Sequence, residues 1–176
     1  MKTRTAGLIL CAVLFGCGSW GVAQPDPQAK LKAVAKKYVD MPGDPVPGVA
    51  VEIAEFVDRE KTYVTLAETE IINALKKAGV AVLAKGKPEF VIYGAVESNW
   101  SGRTHAYGTS AFVYEAAITL KVIDTRKGTV LDTASAQVRK VNPSPEKAAR
   151  EAMVEAGQSA GKKIVNVLKD TPKTVK

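Results

Sequence analysis

The chain has 176 residues, a net charge of +7 and two cysteines, Cys11 and Cys17. Both cysteines lie in the first seventeen residues, so nothing downstream can form a disulfide or a cysteine-based zinc site, and the rest of the chain must be held together by packing. The length suits one domain with a substantial core.

Residues 1–23 read as an export signal. Lys2 and Arg4 form a positive start and Ala6–Gly16 an apolar run that is too short to span a bilayer. Two processing sites compete. Gly21-Val22-Ala23 suits ordinary signal peptidase, with a mature chain from Gln24. Leu14-Phe15-Gly16-Cys17 is similar to a bacterial lipobox, which ends the signal at residue 16 and makes Cys17 a lipidated anchor in the outer membrane. Either cleavage sends the chain to the periplasm, soluble or anchored. Removing Met1–Ala23 leaves 153 residues and lowers the net charge to +5.

Residues 24–48 form a leader, a short amphipathic helix over Ala29–Val39 and a linker rich in proline and glycine. The single α+β domain then occupies 49–169. Val49–Val57 alternates as a first strand. Tyr63–Ala78 follows as a helix closed by Gly79, with Thr62 or Thr65 as its cap. Val80–Ala84 is a short strand, and Glu89–Val96 a nearly continuous apolar one suited to the middle of a sheet.

From Phe112 to Val122 every second residue is apolar or aromatic, Asp124–Gly128 supplies a turn, and Thr129–Val141 alternates again. This long hairpin is the spine of the fold. Its first strand is far longer than usual and should twist or bulge and project past its neighbours. A helix from about Pro145 to Lys169 closes the domain, capped by Ser144, with an alanine stripe facing inward. Gly157 and Gly161 each cost roughly 1 kcal/mol in a helix, a cost offset if the helix lies close against the sheet. A polar tail, 170–176, ends the chain. The expected architecture is α+β: a mixed, largely antiparallel sheet of about five strands, two helices packed on it, and a short N-terminal helix.

The candidate binding site is the connection from Ser98 to Gly108, which carries Trp100, Arg103, His105 and Tyr107 on a glycine-punctuated loop. Aromatic and arginine side chains in such a loop suit recognition of a partner; the plainer reading is a hairpin connection whose Trp100 and Tyr107 pack back on the sheet. No catalytic residue is assigned. His105 lacks a neighbouring acid or thiol, and Glu52, Glu55, Asp58 and Glu60 read as a solvated strand exit rather than a carboxylate pair. No hydrolase, metalloprotease or nucleotide-binding motif occurs, no cofactor or metal is expected, and export argues against nucleic acid.

Val49–Phe56, the helix with Glu68, Leu75 and Gly79, the run Phe90-Val91-Ile92-Tyr93-Gly94-Ala95-Val96, the turn Leu120–Leu131 and the alanine-rich closing helix together resemble the α/β domain of bacterial envelope accessory proteins. These are the curli-secretion lipoprotein family, the flagellar assembly protein T family and the lipoprotein activators of penicillin-binding proteins. The resemblance covers about Val49–Leu168. It implies a non-enzymatic exported module that aids assembly or regulation of an envelope machine through envelope protein partners, with a homo-oligomer open as an alternative. The extra strand pair of a membrane channel is missing from the sequence. The competing functions are a periplasmic cell-wall-active enzyme using His105 with a convergent carboxylate, and a small-ligand carrier using the oily sheet face.

Overall fold

The computed structural model describes residues 33–34, 36–106 and 108–170. The export signal, Cys17, Tyr107 and the tail from 171 lie outside the described residues. The elements in chain order are helix α1, seen at 33–34 and 36–39, strand β1 (Val46–Val57), β2 (Glu60–Lys61), helix α2 (Leu66–Lys77), β3 (Pro88–Ala106), β4 (Thr109–Asp124), β5 (Thr129–Asn142) and helix α3 (Pro145–Asp170).

The alternation that marks β4 sets the whole arrangement. Ala116, Ile118, Leu120 and Val122 point to one face and are buried there with Ile92 and Val96 of β3. The sheet order is β2-β1-β3-β4-β5, mixed, with only β1 and β3 parallel. A parallel pair needs a crossover, and α2 supplies it. α2 and α3 cover the oily face, where Ile71, Leu75, Ile92, Leu120 and Ile164 have no exposed surface. From Ala116 to Val122 that face is covered by the two helices. The other face holds a smaller cluster in which Tyr38 of α1 meets Ala50, Val91 and Ile123.

The α+β architecture matches the expectation from sequence, with differences of detail. Residues 80–84 form no full strand: Val82 makes a single parallel bridge to Val49, and the fifth strand is the two-residue β2 beyond β1. Neither Thr62 nor Thr65 caps α2. The Glu55 carboxylate does, accepting the N–H groups of Leu66 and Glu68 at 2.9 Å each, while Thr65 makes no side-chain cap. The Ser144 hydroxyl does accept the Lys147 N–H, at 3.4 Å, at the start of α3. Gly157 and Gly161 face α2 rather than the sheet. A Cβ on Gly157 would lie 2.8 Å from the Ala67 Cα and carbonyl oxygen, and one on Gly161 would lie 2.9 Å from the Ala74 Cβ.

Candidate functional site

The largest correction concerns the connection that carries the candidate residues. The sequence places Ser98–Gly108 in a loop, yet β3 continues to Ala106 and the link to β4 is two residues long. The polar character of 101–106 hides this strand, because Ser101, Arg103 and His105 are exposed and no apolar alternation is required of them. Backbone pairing with the long β4 holds it instead, from Gly102–Val113 out to Ala106–Thr109.

One residue decides the geometry of this arm. The ladder shifts between Trp100 and Gly102, leaving Ser101 as the extra residue of a bulge. Strict alternation would put Trp100 and Arg103 on opposite faces. The bulge sets Trp100 opposite Tyr114, Arg103 opposite Phe112 and His105 opposite Ser110, all on one side. Trp100 is 56% exposed, so it does not pack back as the plainer reading has it, and the Arg103 guanidinium stacks 4.7 Å from the Phe112 ring centre.

The β1–β2 turn closes the site. Asp58 and Arg59 are its two central residues, and both adopt left-handed backbone, with φ of 49° and 71°. This is the geometry of a tight primed hairpin turn, normally given to Asn-Gly. Asp58 is fixed at three points. Its N–H donates to the Ser98 carbonyl at 2.9 Å, Oδ1 accepts the Trp100 N–H at 2.7 Å, and Oδ2 accepts the Tyr114 hydroxyl at 2.9 Å. Burial, together with the hydrogen bond to Asp58 and the charge of that carboxylate, pushes the Tyr114 phenol up from its ordinary value.

The result is an open cleft of about 680 Å³ lined by Asp58, Arg59, Trp100, Arg103, Phe112 and Tyr114, together with Asn99 and Pro145. Two of the four residues singled out in the sequence, Trp100 and Arg103, line it; His105 stands exposed further along the arm. Asp58, Arg59, Phe112 and Tyr114 escape a sequence reading that looks along one segment, because three elements bring them together. The one available signal is the Asp-Arg pair between two extended runs.

The four carboxylates considered for hydrolysis separate. Glu52 faces α1, where it accepts the Tyr38 hydroxyl at 2.5 Å and pairs with Lys37. Glu55 is 2% exposed beneath α2, Asp58 is committed to the turn, and Glu60 is exposed on β2. Among the described residues no three acidic, histidine or cysteine side chains gather as a metal site would require.

A scan against models of known protein families and a search of curated proteins find no match to this sequence. Among solved structures the fold is similar to that of a minor lipoprotein from Acinetobacter baumannii, with 11% identity, a TM-score of 0.50, and 68% of this chain and 93% of that chain covered. Looser likenesses include rare lipoprotein B from Shewanella oneidensis (11% identity, TM-score 0.44, 70% and 99% covered). Another is the PelC dodecamer from Paraburkholderia phytofirmans (20% identity, TM-score 0.43, 73% and 93% covered). In fold, then, this chain is similar to a bacterial lipoprotein.

Proposed function

We propose that the protein is an exported, non-catalytic accessory module of a bacterial cell envelope, held at the membrane through Cys17, which docks a partner protein in the cleft at the base of the β3–β4 arm. The observation that carries this reading is the convergence of an exposed Trp100 and a stacked Arg103 over a pinned turn. Exposed aromatic and arginine side chains around a fixed scaffold are the usual anchors of protein recognition. The dispersal of the acidic residues supports a binding role over hydrolysis. The lipobox-like sequence before Cys17 and the fold likeness to a lipoprotein support the anchor.

Two measurements test it. Cross-linked pull-downs from envelope extract compare the native chain with Trp100→Ala and Arg103→Ala. Loss of a partner from both variants is expected, and identical partner sets would sink the cleft's role. Intact mass of the protein isolated from cells is expected to match a chain from Cys17 carrying acyl groups. A chain beginning at Gln24 would remove the anchor while leaving the docking reading intact.

A further inference from the structure

We infer that the cleft takes an acidic, extended segment of another polypeptide, which adds as a strand to the free edge of β3 and sets its carboxylates on Arg59 and Arg103. This rests on the docking reading above and narrows it to one class of partner.

Three observations converge on it. The first is the open strand edge. Pairing of β1 with β3 ends at Val57–Ser98, and Asp58 takes the next outward N–H, that of Trp100. From Gly102 to Ala106, among the described residues, β3 pairs with β4 alone. An edge with unpaired N–H and C=O groups is a template for another extended chain.

The second is the charge balance. Both oxygens of Asp58, the one acidic residue lining the cleft among the described residues, are taken by Trp100 and Tyr114. The nearby Glu60 does not line the cleft; it lines an adjoining hollow with Val57, Asp58, Lys61 and Tyr63. Arg59 and Arg103 therefore have no carboxylate partner among the described residues. Guanidinium groups suit carboxylates through paired N–H donors. The third is the floor of the cleft. Trp100 and Phe112 offer apolar area beside the two cations, so the cleft-facing residues of the segment, two apart in an extended chain, would alternate acidic and apolar.

The test uses the full chain and fluorescein-labelled peptides in anisotropy titrations. One peptide is Thr-Glu-Thr-Leu-Thr-Glu-Thr-Leu, and a second replaces each Glu with Lys. Two further versions of the acidic peptide are N-methylated at alternate residues, one in each phase. The acidic peptide is expected to bind about tenfold or more tightly than the lysine peptide. One methylated phase should lose binding and the other retain it. The double variant R59E/R103E, with both reversals on exposed positions, should invert the preference. Equal binding of both charged peptides, or binding that survives methylation in both phases, overturns the inference in favour of a simple anion or apolar surface. Self-association of the chain that expels the peptide assigns the edge to a second copy and also overturns it. Partner capture that depends on Trp100 and Arg103 without any acidic-peptide binding would defeat this inference alone. Acidic-peptide binding with partner sets unchanged by those substitutions would instead defeat the docking reading.

Discussion

At the scale of single residues, two side chains hold positions that their chemistry alone would not favour. Arg59 carries left-handed backbone in the β1–β2 turn, which costs a residue with a Cβ about 1 kcal/mol or more and glycine very little. Arg59→Gly is therefore expected to raise stability, by roughly 0.5–1 kcal/mol in urea denaturation, while weakening partner capture; weaker binding with no gain in stability would show that the turn holds no strain. Glu55 is the second case. Burial pushes its carboxyl up from the ordinary 4.5, and the amides of Glu68, Leu66 and Ala67 oppose that shift without cancelling it. A carboxyl with a raised folded pKa favours the folded state most at low pH. Its contribution is full below 4.5, where it is protonated folded and unfolded, and it is lost as pH rises through the higher folded value. The stability of the native chain relative to Glu55→Gln should thus fall as pH rises from 4.5 through the raised folded value. A difference that stays constant as pH rises above 4.5 would mean that the amides offset burial completely.

At the scale of elements, the helix pair gives a test in which propensity and packing disagree. Alanine exceeds glycine in helix propensity by about 1 kcal/mol, so Gly157→Ala should stabilise α3 considered alone. Against α2, the new Cβ would stand 2.8 Å from the Ala67 backbone, and backbone cannot rotate away as a side chain can. The expected outcome is a net loss of about 1–3 kcal/mol, read from thermal or urea unfolding, and a gain would mean that the helices separate freely. The sequence shows that two glycines sit on one face of this helix, but not which element approaches that face. The same boundary separates what was legible elsewhere. Alternation in β4 and the alanine stripe of α3 announce themselves because burial demands apolar residues at fixed spacing. The arm of β3 does not, since Ser101, Arg103 and His105 are exposed and a backbone ladder has no residue signature. The Ser101 bulge is invisible for the same reason, and it is what brings Arg103 to the side of Trp100. Trp100 and Arg103 could be found by their residue types, whereas Asp58 and Tyr114 join the site only through pairing across 42 and 56 residues of sequence.

At the scale of the whole molecule, α1 decides whether the sheet has one covered face or two. From the sequence, the leader, short helix and linker before Gly48 act as a tether if Cys17 is lipidated, or else pack as a helix on the domain edge. In the fold, α1 lies over the sheet face opposite α2 and α3. Tyr38 is 7% exposed against Ala50, Val91 and Ile123, and its hydroxyl donates to Glu52. Lys87, just before β3, donates to the carbonyls of Val39 and Met41 at 3.1 and 3.2 Å, closing the C-terminal end of α1. A tether would let the body swing freely; a docked α1 holds residues 36–39 against the sheet that carries the arm. Substitution of Tyr38 separates the two. Tyr38→Phe keeps the ring and loses one hydrogen bond, at a cost of about 1 kcal/mol. Tyr38→Ala removes the ring from the centre of the small cluster and should cost about 2–4 kcal/mol, with faster amide exchange at Ala50, Val91 and Ile123 than in the native chain. If α1 were only a tether, both substitutions would leave unfolding and exchange unchanged.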